Sequence, residues 1–200
     1  SLLFGDVFYD PSFSIIDANG TYKPFFGSSN INSSDTDTEL TLNFNVTSSA
    51  NVAVGYNALR KNTAANNTAV GNLALDANTT GTENVAVGSG ALDSNTTAGC
   101  NTSIGHGSMG DNTEGSNNVA VGRSALGSNT TGASNVGIGR SSLTLNTTAT
   151  GNTATGAFAL DKNTTGANNV GVGWQALTAN TTASGNVAVG ALAGLSITTG

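Results

Sequence analysis

The chain has 200 residues, a formal net charge of −6 at pH 7 and a sequence pI near 4.3. An acidic chain is a poor partner for nucleic acid or an anionic membrane, and with charged residues at 9% of the sequence its long-range steering of any ligand is weak. The single cysteine excludes an intrachain disulfide, and no apolar run reaches the length of a membrane-spanning helix.

Residues 1–50 differ in composition from the rest. They hold six of the seven Phe, two of the three Tyr, both prolines, six of the twelve acidic residues and one base, Lys23. The opening Ser1, Leu2, Leu3 and Phe4 is too short for a signal peptide and lacks a basic start. Phe4, Phe8, Tyr9 and Phe13 are candidate attachment residues, either inserting into another structural protein or covering the start of the region after residue 50. Residues 14–22 read as a hairpin around Asn19-Gly20, residues 27–38 as a polar linker, and residues 39–46 as a half-buried alternating strand that enters and caps a repeat region.

From Asn51 onward one unit recurs. Copies begin at Asn51, Asn67, Asn84, Asn101, Asn118, Asn135, Asn152, Asn169 and Asn186, seventeen residues apart after a first step of sixteen. Numbered from its Asn, the unit has Val or Thr at position 2, a small residue at 3, Val, Ile or once Thr at 4, and Gly at 5. Positions 2 to 4 predict a short strand. The glycines Gly55, Gly71, Gly88, Gly105, Gly122, Gly139, Gly156, Gly173 and Gly190 predict a bend after it.

Positions 8 and 9, mostly Ala-Leu, predict a second short apolar strand, and Asn-Thr-Thr at 12 to 14 predicts a turn. Positions 6, 7, 10 and 11 vary freely and are expected outside. The expected core is Val52, Val54, Leu59, Val70, Leu75, Val85, Val87, Leu92, Val119, Val121, Leu126, Val136, Ile138, Leu143, Val170, Val172 and Leu177. The fold class expected is all-β: a parallel β-roll or β-solenoid of about nine 17-residue coils over residues 51–200, preceded by a non-repetitive β segment. At about 4.8 Å per coil the rod is roughly 40 Å long. Its apolar volume per coil is thin, so several chains are expected to share a core.

Candidate chemistry is sparse. His106, the only histidine, stands at a variable outward position without ligand-spaced partners. Cys100 closes a coil where Glu83, Ser134 or Asn168 stand in other copies. The string Gly105-His-Gly-Ser-Met-Gly110 matches a dinucleotide fingerprint by letters but lacks the βαβ context. Asn78, Asn95, Asn129, Asn146, Asn163 and Asn180 fit the glycosylation sequon and are expected to be turns.

The recurring Thr pair raises a different class, an ice-binding face, with Ala64 and Glu114 interrupting its second file. Adjacent residues such as Thr130 and Thr131 point to opposite faces if extended, whereas a flat two-file ladder needs i and i+2. Tyr56, Phe158 and Trp174 lie on different coils, so no common sugar pocket is expected. No catalytic pair, cofactor motif or metal cluster stands out, and the chain is not expected to be an enzyme.

The phrase Asn-Val-Ala-Val-Gly-x-x-Ala resembles the head repeat of YadA-type trimeric autotransporter adhesins, and the longer form with Asn-Thr-Thr is similar to repeats of phage tail-fibre and virion-fibre proteins. The resemblance covers residues 51–200. It implies a homotrimeric, left-handed parallel β-roll serving as a stiff adhesive or receptor-binding stalk. These 200 residues contain no coiled-coil stalk or membrane anchor, which favours a virion protein over a self-exported one. The expectation is a virion-surface fibre (alternatively a bacterial cell-surface adhesin head), with residues 1–50 meeting another structural protein. A host-surface receptor or glycan is its expected ligand, with no nucleic acid, no membrane insertion and no cofactor.

Overall fold

The computed structural model describes residues 8–9, 14–16, 22–24 and 50–198. Three short strands, β1 (Phe8–Tyr9), β2 (Ser14–Ile16) and β3 (Tyr22–Pro24), form an antiparallel sheet in the order β1-β2-β3. Ile16 pairs with Tyr22 and Ser14 with Pro24, the antiparallel register of a hairpin. The tip itself, the strand expected over 39–46, Phe4 and Phe13 lie outside the described residues.

The repeats fold as a parallel β-solenoid. Strands β4 (Val52–Val54), β5 (Thr68–Val70), β6 (Val85–Val87), β7 (Thr102–Ile104), β8 (Val119–Val121), β9 (Val136–Ile138), β10 (Thr153–Thr155), β11 (Val170–Val172) and β12 (Val187–Val189) form one nine-stranded sheet in sequence order. Each pairs in parallel with the equivalent residues of the next, as in Val119↔Val136, Ala120↔Gly137 and Val121↔Ile138. One strand per coil of about 17 residues is the whole regular structure, and there is no helix among the described residues.

Position 5 needs glycine for two reasons. Gly122 has φ +132, where a Cβ is strained, and a Cβ there would stand 2.7 Å from the carbonyl carbon and oxygen of Gly139 in the next coil. The chain then turns twice: Ala125 N–H donates to the Gly122 carbonyl (3.2 Å) and Asn129 N–H to the Leu126 carbonyl (3.1 Å). The Ala-Leu segment is therefore not the second strand that its apolar character suggests. Positions 7 and 9 are left-handed, with Ser124 at φ 56 and Leu126 at φ 52, and a chain alternating into that region cannot extend. The segment still stacks on the next coil, where Leu126 N–H meets the Ser142 carbonyl at 2.9 Å.

The core is narrower than expected. Leu59, Leu75, Leu92, Leu126, Leu143 and Leu177 are buried, joined by Met109 and Leu160. The expected core residues of positions 2 and 4 are not inside. Val54, Val70, Val85, Val87, Val119, Val121, Val136, Val170 and Val172 are half-buried, while Val52 is 48% and Ile138 40% exposed. In a three-residue strand whose side chains alternate, only the middle one can face in, and here it is the small residue at position 3. The wall opposite stands too close for more: a Cβ on Gly137 would lie 3.1 Å from Ser142 Oγ and 3.4 Å from Leu126 Cγ. In the fourth coil both facing positions are serine, and Ser103 Oγ donates to the Ser108 carbonyl at 2.8 Å while Ser108 Oγ donates to the Gly105 carbonyl at 3.0 Å.

The other half of the core is polar. Two files of asparagine, at positions 1 and 12, run up the interior. Asn129 Nδ2 donates to Asn112 Oδ1 (2.8 Å) and to the Gly132 carbonyl (2.9 Å), and Asn129 Oδ1 accepts from Asn146 Nδ2 (2.8 Å). In the second file Asn118 Oδ1 accepts the backbone N–H of Asn135 at 2.9 Å, and Asn118 Nδ2 donates to the same Gly132 carbonyl at 2.8 Å. Each of the first eight coils thus joins its two asparagines through one shared carbonyl, and both files link coil to coil. The ladder also places the missing residue of the first coil. Both Asn51 and Asn62 donate to the Ala64 carbonyl, so Ala64 fills position 15 and the gap is at position 14.

Candidate functional site

The sheet formed by β4 to β12 has one face inside the rod and one outside. The outer face is two parallel files, positions 2 and 4, holding fourteen Val or Ile and four Thr (Thr68, Thr102, Thr153, Thr155) and no charge. Stacking half-covers most of these residues with their own neighbours, but Ile104 and Ile138 remain 40% exposed. At about 4.8 Å per strand and two files of side chains across, the stripe covers about 400 Å², the size of the largest apolar patch on a typical monomer, which is often functional. Sequence reasoning finds these residues but turns them inward. Their true signal is the invariantly small residue between them, which marks the crowded side.

Other sequence candidates are dispersed. The Thr pair does not form a two-file face: Thr130 is half-buried, with Oγ1 donating to the Thr147 carbonyl at 3.1 Å, and only Thr131 is exposed. The sequon asparagines are fully buried in the position-12 ladder, where no modifying enzyme reaches the amide. Gly105 to Gly110 is a turn that buries Ser108 and Met109, with no helix after it. Among the described residues no group of three or more His, Cys, Asp or Glu could hold a metal ion, and no helix is long and apolar enough to cross a membrane.

Cys100 is exposed, and its Sγ donates to Glu83 Oε2 of the preceding coil at 3.3 Å. That hydrogen bond, with desolvation and the carboxylate's charge, raises the thiol above its ordinary range. A raised thiol holds less thiolate at a given pH and reacts more slowly. Glu83→Gln removes the charge, so alkylation of Cys100 by iodoacetamide at pH 8 should run several-fold faster in that variant; equal rates would show that the carboxylate has no hold on the thiol.

The variable position 6 gives a second surface. Its residues are in register, because each position-7 N–H donates to the position-6 carbonyl of the coil before: Ser141 to Arg123 (2.9 Å), Phe158 to Arg140 (2.9 Å) and Leu192 to Trp174 (2.8 Å). His106, Arg123, Arg140 and Trp174 are exposed. Tyr56 is remote from Phe158 and Trp174, as expected, but those two are not remote from each other, since they stand on adjoining coils. The guanidinium of Arg140 lies 5.1 Å from the centre of the Phe158 ring. Comparisons with protein-family models, curated proteins and solved structures each return no match.

Proposed function

We propose that this protein is a structural fibre element whose rods associate side by side through the Val, Ile and Thr face, three around one axis. The observation that carries this reading is the uncharged, two-file apolar stripe running the length of the solenoid. Three such stripes turned to a common axis bury on the order of 1,200 Å² over the whole assembly, about 400 Å² for each pair of chains, and so form a continuous apolar seam along the axis. The thin interior of each coil supports it too, because association supplies the apolar volume that one chain lacks.

Similarity of the repeat to virion-fibre repeats supports a place on a virion surface, projecting from the particle and adhering to a host, with residues 1–50 meeting a neighbouring structural protein. A bacterial adhesin head is the alternative with the same architecture, and immunogold labelling of purified particles against whole cells separates the two. Light scattering after size exclusion tests the association. The expected mass is three times that of the 19.7 kDa chain. Val119→Asp with Val121→Asp should reduce it to one chain while circular dichroism holds, because both side chains point outward. A wild-type particle of single-chain mass would overturn the proposal.

A further inference from the structure

The position-6 file carries a pattern that the fibre reading does not use. His106, Arg123 and Arg140 occupy three successive coils, Ala157 the next, and Trp174 the one after, with Phe158 beside Ala157. We infer that this strip binds an anionic oligosaccharide, with the arginines on its acidic groups and the Trp174 indole against a sugar face.

Charge complementarity is the first argument. The chain carries a net −6, yet positions 6 and 7 contain no Asp or Glu in any coil. Among the described residues the ion pair is Arg60 with Asp76, and Arg123 and Arg140 stand in none. Their guanidinium forks are free to take a carboxylate or sulfate bidentately. Arg140 is also steadied: its guanidinium lies over the Phe158 ring, 5.1 Å from the centroid, in a side chain that stays exposed.

The second argument is shape. Ala157 is the small residue of the file, between Arg140 and Trp174, so the side chains of this strip are shortest at that coil. The exposed indole of Trp174 offers an apolar face to the C–H side of a pyranose, while arginine donors meet its charged substituent. From Arg123 to Trp174 is three coil steps, about 14 Å, the span of a short oligosaccharide. A flexible acidic peptide satisfies the arginines but has no ring face to set against Trp174.

The inference rests on the adhesive part of the function proposed above, and requires that side-by-side association through positions 2 and 4 leave position 6 open. Trp174 is the only tryptophan, so its fluorescence reports on this strip alone. The full chain is titrated with oligogalacturonate, sulfated dextran, uncharged dextran and polyglutamate, and its mass is measured in the same samples. A saturable change with the carboxylated or the sulfated sugar supports the site and tells which anion it takes. Arg123→Gln with Arg140→Gln should weaken that binding at least tenfold, with mass and circular dichroism unchanged. Undiminished affinity in this variant, equal binding of uncharged dextran, or equal binding of polyglutamate would each overturn the inference. A trimer without any response overturns the site and leaves the fibre standing, whereas a monomer that responds supports the site and overturns the association.

Discussion

Gly122→Ala should cost the solenoid about 4 kcal/mol, combining backbone strain with a clash that cannot relax. Gly122 sits at φ +132, and its new Cβ would meet the Gly139 carbonyl carbon and oxygen at 2.7 Å and the Arg140 nitrogen at 3.0 Å. All three atoms are backbone, so no rotamer change relieves the contact. The two coils must separate, which stretches the bond that joins them there, Gly139 N–H to the Val121 carbonyl at 2.7 Å. Gly90→Ala is the control, because its φ is +65 and a Cβ there has nothing within 4 Å. Asn57, Leu73 and Ser124 already hold the same position at similar φ, so that change should cost about 1 kcal/mol. Urea denaturation of both variants measures the difference. Equal losses would mean that the close approach of the coils is not what fixes this glycine.

The second large effect concerns the buried amides. Asn129→Asp keeps the shape of the side chain and removes its two donated hydrogen bonds, to Asn112 Oδ1 and the Gly132 carbonyl. It sets a carboxylate oxygen against two acceptors in a site with no solvent access. The loss should be about 4–5 kcal/mol at pH 7, the range for an uncompensated buried charge. Acid should relieve it. Burial raises the carboxyl in the folded state above its unfolded value near 3.9, so the neutral acid, which can donate one bond, is favoured below that value. The deficit relative to wild type should be smallest near pH 3.5 and grow as pH rises from the unfolded value towards the raised folded one. Melting temperatures of the two proteins across that range decide it. A pH-independent gap would show that the ladder does not discriminate donor from acceptor at Asn129.

The period, the strand at positions 2 to 4 and the glycine bend are legible from nine aligned copies, because a repeat compares the chain with itself. What side each residue faces is harder to read. Val119 and Val121 look like core by hydrophobicity alone, yet a coil one strand wide has room inside for Ala120 only. Leu126 misleads in another way, since leucine seldom adopts positive φ and its pairing with Ala125 suggests a strand where the backbone makes two turns. Asn129 has the chemistry of a surface turn. Its recurrence at position 12 through the first eight copies, beside freely varying positions 10 and 11, is the signal of a buried role. The neighbourhood of Phe158 and Trp174 is hidden because sixteen residues of sequence separate what one coil step joins.

The uniform stacking of coils has a mechanical consequence. Within the rod each interface is the same set of backbone and asparagine bonds, so a load applied along the sheet is met by many equal bonds acting together. A load that peels the chain from one end meets only one interface at a time. Each coil that lets go turns about 17 residues from a rise of one strand spacing into extended chain, releasing roughly 50 Å of length. A rod anchored at one end and caught at the other would therefore yield in uniform steps, giving slack without losing the remaining coils.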